Sequence, residues 1–538
     1  MVKEMGKKDA LRRRAVLLVG AVIYAALYAF CSQIDETGFI QWSTAAARFA
    51  IALPVALAAL GLLMRFVLPK TEMKPDAEGT KSFCTWGAFL FIFCCYVPMF
   101  LIEFPGSFTY DTQSEAAQIA GNAYSSGFPL LHTLMIRFCV SLRGVLGTMN
   151  RCAALYSMIQ MALTAICFSQ VSGSISRSVS RRAARLSMLF FGLYPLHMAF
   201  ASNCTKDVLF SAFLALYVAL CFEEIVCGIT RSRRALQFIS GVIACLLRNN
   251  MIYALVGWTL ILLLSRKRFR RMALCGVLIA AMSLGVNTGL KAATHAESGD
   301  IIELFSVPIQ QLARVRLYAP QVLNQEEMDV IDTVYQGWRF YQYEPTLADC
   351  IKNNIVDRVF EENLEDFLKT WVSVGAKCPA VYLDALLNLA LPSLYPYRSW
   401  HGAAEYLETG CNDDVLSGPF GAENLTQPEC FANVRLWLDE HLWETGAAET
   451  PVVHWLFNTG AIYWLLLLAF LYDVYGARWD RVRLELLMVL LWVPYLLGPV
   501  MQARYMYPFV CVLPLFLFRR RLENAGERER NEEMMHEG

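Results

Sequence analysis

Continuous apolar runs of near-spanning length, separated by short clusters of Arg and Lys, recur along most of the chain. The runs do not alternate with period two, so they exclude a membrane barrel and fit helices that satisfy their own backbone hydrogen bonds. The pattern predicts spans near residues 14–31, 46–67, 83–103, 151–170, 185–201, 206–226, 235–247, 251–265, 272–290, 452–473, 483–499 and 504–518. The expected fold is therefore all-α: a polytopic membrane protein of about 12 transmembrane helices. The first run lacks a small-residue cleavage site and is read as a retained helix.

Basic clusters set the expected orientation. Arg12 to Arg14, then Arg65, Lys70, Lys74 and Lys81, place the N-terminus and the second-to-third connection inside. Arg177 to Arg185, Arg231 to Arg234, Arg266 to Arg271, Arg478 to Arg483 and Arg519 to Arg521 follow on the same side. This works only if Leu130 to Leu142, with its polar His132 and Arg137, lies along the interface instead of crossing. Between Arg233 and Arg266 only about 30 residues must hold two crossings, where about 40 are usual. The turn Arg248-Asn249-Asn250 would then sit below the outer surface, as the floor of a recess; an error of parity is the other reading.

These assignments divide the chain into an N-terminal tail with two helices (1–82), a helical core (83–290) with a first outer loop (104–150), an outer region (291–450), C-terminal helices (451–520) and an inner tail (521–538). Ala380 to Pro392 is apolar but short and carries Asp384, so it reads as interfacial or re-entrant. An outside location permits disulfides among Cys350, Cys378, Cys411 and Cys430, with Cys411–Cys430 the first pair to test. Asn424-Leu-Thr426 fits a glycosylation acceptor in a host that uses one.

Composition agrees with the pattern. With 56% hydrophobic and 17% charged residues the chain suits a lipid environment. The 47 basic and 47 acidic residues cancel, and the basic clusters read as topogenic, so no nucleic-acid partner is expected. There is no glycine-rich nucleotide loop before a helix. Most of the 17 cysteines lie in apolar runs as small hydrophobes.

Candidate chemistry gathers at the outer ends of the spans. Asp111 and Glu115 share a helical face. They could serve as general base and orienting group, or hold a divalent cation, or Asp111 could simply cap a helix. Lys206 and Asp207 open the sixth span, where Asp207 suits a helix N-terminus and Lys206 needs a pair or an anion. Arg248 either meets a ligand in the recess or closes an internal ion pair. Arg504, beside Tyr505, could bind phosphate or snorkel within an aromatic belt. Asn249, Gln310, Gln311 and Arg314 add outer-face polar groups, and His132 is expected to hydrogen-bond at the interface. His295, His401 and His454 suggest no partner.

Several segments resemble the GT-C superfamily of integral-membrane glycosyltransferases, and most closely a largely uncharacterised bacterial membrane-protein family. They are Pro105-Gly-Ser-Phe-Thr-Tyr-Asp111-Thr-Gln, Ser126-Gly-Phe-Pro129-Leu-Leu-His132-Thr, Thr205-Lys206-Asp207-Val-Leu-Phe210, Arg248-Asn-Asn250, Ser306-Val-Pro308-Ile-Gln-Gln-Leu-Ala-Arg314 and Arg504-Tyr505-Met-Tyr507-Pro508. The resemblance implies a GT-C-like bundle in the bacterial plasma membrane, with both termini cytoplasmic and the site outside. It implies transfer of a sugar, by inversion, from a polyprenyl-phosphate donor to a glycan, lipid or protein acceptor. Asp111 would take the base role, and Arg504, with Lys206 and Arg248, would hold the donor phosphate. No cofactor is certain; a divalent metal ion at Asp111 and Glu115 stays open, since the paired acidic pattern of some members is incomplete here. Two rivals remain: a transporter or flippase of a lipid-linked glycan, and a non-enzymatic envelope assembly factor.

Overall fold

The computed structural model describes residues 2–76, 82–108, 111–336, 339–396, 425–441 and 457–520. Cys411, Asn424, His401 and His454 lie outside them. The described chain is essentially all-α, with one two-residue parallel strand pair, Glu72–Met73 against Arg519–Arg520. Among the described residues six helices are long and apolar enough to cross a membrane, or seven if one bent pair is a single span. They are joined by the shorter apolar helices Asn250–Leu263, Thr459–Tyr475 and Ala503–Leu517. These features support a multi-pass membrane protein.

Lys206–Val226 is the central helix. Thr205 caps its N-terminus, and nearly every side chain from Asp207 to Glu223 is buried. A helix apolar all round needs neighbours on every side. Met149–Ser178, Arg231–Leu247 and Ala503–Leu517 supply them. By contrast, Trp42–Leu62 buries only Ala45 and Leu60, leaving an apolar surface that suits lipid.

Local sequence explains the irregular places. The expected span 185–201 is two helices, Arg181–Leu193 and Pro195–Ala201. Pro195 keeps Tyr194 extended (ψ 122°), which ends the first helix. Leu130–Ser141 has 12 residues, too few to cross, and packs on Met149–Ser178. The expected short helix 380–392 is the second arm of a pair, Leu364–Lys377 and Pro379–Leu394, bent by 107°. Beside that pair, Ile309, Leu312, Ile331, Val334, Phe360 and Phe367 form a separate apolar core for the 301–382 region. Cys350 and Cys378 are free thiols.

Contacts between the basic clusters place them at one end of the bundle. Asp76 accepts from the Arg181 backbone N–H at 2.8 Å, Glu223 binds Arg177 and Arg233, Asp480 pairs with Arg268, and Glu72 pairs with Arg478. Arg12 reaches the Tyr475 carbonyl at 3.4 Å. Asp473, fully buried, accepts from Arg481 at 2.9 Å and Arg519 at 3.0 Å, latching the C-terminal strand to the helix ends. Replacing Asp473 with Ala strips the shared partner from these arginines. The expected cost is about 3 kcal/mol or more, read as a lowered unfolding temperature in detergent; an unchanged temperature would contradict the latch.

Candidate functional site

The opposite end of the bundle holds the candidate site. Lys206 is the first residue of Lys206–Val226, Arg504 the second of Ala503–Leu517, and Arg248 follows Arg231–Leu247 directly. Those helices run from the site toward the basic end, or return from it. Their residues far apart in sequence therefore meet.

Asp111, at the N-cap of Thr112–Gly121, is the meeting point. One carboxylate oxygen, Oδ2, accepts from Lys206 Nζ and from Arg504 Nη1, the latter at 2.9 Å. Arg504 is oriented on its other edges. Its Nε donates to Gln502 at 2.8 Å, and Nη2 donates to the Tyr505 hydroxyl at 2.9 Å. Lys206 also lies over the Phe128 ring at 5.2 Å. Burial pushes the Asp111 carboxyl up, but the Lys206 and Arg504 charges outweigh it and hold the group well below the usual carboxylate range.

A second pair lies alongside. Arg248 donates to Asp207, which is fully buried. The Arg248 guanidinium sits 4.8 Å from the Tyr495 ring centre and 4.5 Å from that of Tyr505. Arg504 also stacks on Tyr505, at 4.7 Å, so one ring serves both guanidiniums. Asn249 donates to the Ser126 carbonyl at 3.4 Å, joining the Arg248-Asn249-Asn250 turn to the segment that carries Phe128. Three cations (Lys206, Arg248, Arg504) face two carboxylates (Asp111, Asp207), which leaves the group one positive charge in excess. Asp111 is 28% exposed and Asp207 0%, so the Asp111 pair is the more accessible of the two.

Glu115 is only 1% exposed and faces elsewhere. Both of its oxygens lie 2.8 Å from His132 Nδ1, and Thr133 donates to it at 3.0 Å. His132 Nε2 lies 2.6 Å from the Tyr156 hydroxyl, which donates to Gln160 at 2.9 Å. Gln160 then donates to the carbonyls of Asn203 (2.6 Å) and Ala201 (3.1 Å). Thr112 adds a bond to the Cys204 carbonyl at 2.6 Å, and Ser107 bridges Asn203. This buried ladder fixes the segment before Lys206 against the helix that Asp111 opens. With Asp111 held by two cations and Glu115 by His132, no group of three or more His, Cys, Asp or Glu suited to a metal ion converges among the described residues.

The structure thus brings Asp111, Lys206, Arg504 and Tyr505 together, with Asp207, Arg248 and Asn249 next to them. Glu115 and His132 belong to the supporting ladder. Gln310, Gln311 and Arg314 engage other partners. Gln310 donates to the Glu344 carbonyl, and Gln311 bridges Tyr382 and Trp371. Arg314 binds Tyr343 and the Gly38 carbonyl and stacks on Phe39 at 4.3 Å, tying the 301–382 region to the first helical hairpin. Sequence reasoning passed over Phe128, Tyr495, Gln502, Tyr156 and Gln160. Of these, Gln502 carried a signal, two residues from Arg504 at a helix start, and Phe128 lay within the resembling segment 126–133.

The long apolar helices define the class, a multi-pass membrane protein. Residues 127–534 match the profile of a family of unknown function, DUF6020, and the chain belongs to that family. Asp111 and Glu115 precede the matched stretch; Lys206, Asp207, Arg248, Arg504 and Tyr505 fall within it. No curated protein and no solved structure matches the chain.

Two outcomes test this geometry. Gly106 has φ +124°, and a Cβ there would stand 2.1 Å from Ser157 Oγ and 2.9 Å from the Ser202 carbonyl. Gly106→Ala should cost about 1–3 kcal/mol of stability, seen as earlier thermal unfolding; a variant as stable as the parent would contradict the close approach. The second is pH dependence. A carboxyl whose folded value is depressed contributes stability that is present above its unfolded value, near 3.9, and is lost as pH falls through the folded one. The difference in unfolding temperature between the parent and Asp111→Asn should therefore be flat from about pH 8 to about pH 5. A slope in that window would contradict the ion triad.

Proposed function

We propose that the chain is a membrane-embedded glycosyltransferase of GT-C-like architecture. It would move a sugar from a polyprenyl-phosphate donor to a hydroxyl on an extracytoplasmic glycan, lipid or protein. The observation that carries this reading is a single reachable carboxylate held between Lys206 and Arg504 at the end of the bundle opposite the basic clusters. With those clusters cytoplasmic, the site faces outward. The reading takes about twelve crossings, both termini inside the cell, and a bacterial plasma membrane.

The chemistry needs one base and one or more cations. The acceptor oxygen attacks the anomeric carbon as its proton passes to the Asp111 carboxylate. A new C–O bond forms, the bond from the anomeric carbon to the phosphate oxygen breaks, and the phosphate leaves carrying the negative charge. Lys206 and Arg504 would stabilise that departing charge, Arg504 with its planar donor edge. A single displacement inverts the anomeric centre. An apolar cavity of about 330 Å³ beside the Leu130–Ser141 helix, lined by Leu131, Leu134, Met135, Phe138 and Ile159, offers room for part of an isoprenoid chain.

One feature favours a second reading. The 107° break between Leu364–Lys377 and Pro379–Leu394 is the kind of discontinuity found in transporters, so carriage of a lipid-linked glycan is the alternative. Product analysis separates the two. Purified protein given a prenyl-phosphate sugar and an alcohol acceptor should release free prenyl phosphate and glycosylated acceptor, and Asp111→Asn should lose transfer by about a hundredfold or more while staying folded. Full activity in that variant would remove the base assignment, and translocation without product would favour the carrier. Single cysteines at Ser125 and Glu303 in a cysteine-depleted background should label from outside the cell; labelling from inside only would reverse the orientation.

A further inference from the structure

Lys206 and Arg504 converge on the same oxygen of Asp111. That is the arrangement in which two donors would receive an oxygen of a bound anion. Both sit at helix N-termini, where a cation is disfavoured by the macrodipole unless an anion accompanies it. Their neighbours hold them there independently of Asp111: Gln502 and Tyr505 on Arg504, and Phe128 against Lys206. The adjacent pair differs. Asp207 is completely enclosed, so it satisfies Arg248 permanently. Asp111, at the N-cap of a ten-residue helix, is 28% exposed, so its side chain can turn toward solvent.

We propose that Asp111 is an internal ligand that occupies the anion site, so that the carboxylate and a phosphodiester head group compete for Lys206 and Arg504. The inference rests on the reading that these two cations receive a phosphate. It adds that, without a bound anion, the two cations are closed by the base itself. While Lys206 and Arg504 hold the carboxylate, Asp111 is a weak proton acceptor. A phosphodiester that draws the two cations away restores its basicity beside the reacting hydroxyl. Base activation then follows donor binding, and an acceptor alone meets an inactive carboxylate. Coupling of this kind is reciprocal: the free energy that the carboxylate gains from the two cations is subtracted from anion affinity, and a bound anion weakens the carboxylate's hold by the same amount.

The consequence is opposite to that expected of a residue that helps hold the donor. Removing the carboxylate should tighten anion binding. The experiment is calorimetric titration of purified protein in detergent with dibutyl phosphate, a phosphodiester monoanion without sugar or long chain. Asp111→Asn should bind it about tenfold more tightly than the parent. Arg504→Gln and Lys206→Gln should each weaken binding. Glu361→Gln removes an equal charge from an exposed position in the Asp357–Glu362 helix, outside the elements that build the site, so it controls for net charge and should leave affinity unchanged. If Asp111→Asn does not yield monodisperse protein, Asp111→Ala replaces it.

The outcomes separate the two levels of the account. Binding that depends on Lys206 and Arg504 but is unchanged or weakened by Asp111→Asn overturns the competition and leaves the phosphate role standing. Equal tightening in Glu361→Gln also overturns the competition, since bulk charge then explains the gain. Binding that is absent throughout, or indifferent to Lys206 and Arg504, overturns both.

Discussion

Everything at the candidate site depends on placing cations at the buried ends of helices. Lys206 begins the most enclosed helix of the bundle and Arg504 begins the last. Each stands where the helix field repels positive charge and where water is scarce. Asp111 makes both positions tolerable at once, and in doing so it pins the first loop to two helices that lie 95 and 393 residues away in sequence. Asp207 does the same for Arg248, but from full burial. One pair is therefore enclosed and the other is partly open, which is the difference the proposed exchange uses. A difference in exposure, more than in chemistry, separates framework from site.

The supporting parts follow from that constraint. An exchangeable carboxylate is useful only if its surroundings stay fixed when it moves. The ladder from Glu115 through His132, Tyr156 and Gln160 to the Asn203 carbonyl provides this, because each of these buried side chains has a partner and together they tie the helices Thr112–Gly121, Leu130–Ser141 and Met149–Ser178 to the segment before Lys206. At the other end of the bundle, Asp473 and the short strand pair perform a purely structural version of the same task.

Much of this was legible in the sequence, for a physical reason. Hydrophobic length and the side of the basic clusters are properties of single segments, so Lys206–Val226 and the non-crossing Leu130–Ser141 helix could be located from the chain. Asp111, Lys206 and Arg504 stood out because charge beside long apolar runs demands compensation. Partner identity is different, since it depends on how segments pack. Glu115 shares a helix face with Asp111 yet points into the His132 ladder, and neither residue alone foretells that. Gln310, Gln311 and Arg314 looked like further outer-face donors but bind the 301–382 region and the Gly38 turn. Aromatic contributors such as Tyr495 carried no signal among so many aromatic residues. The break at Tyr194 was written in Pro195, but an apolar flank masked it.

The most direct measurement is an experimental density map of the purified protein in lipid nanodiscs with the lipid it retains. The account expects a phosphate between Lys206 and Arg504, Asp111 turned away from both, and the Asp207–Arg248 pair undisturbed. A map in which the head group lies elsewhere while Asp111 still bridges the two cations, or in which Asp111 and Arg504 stand on opposite faces of the bilayer, would contradict it.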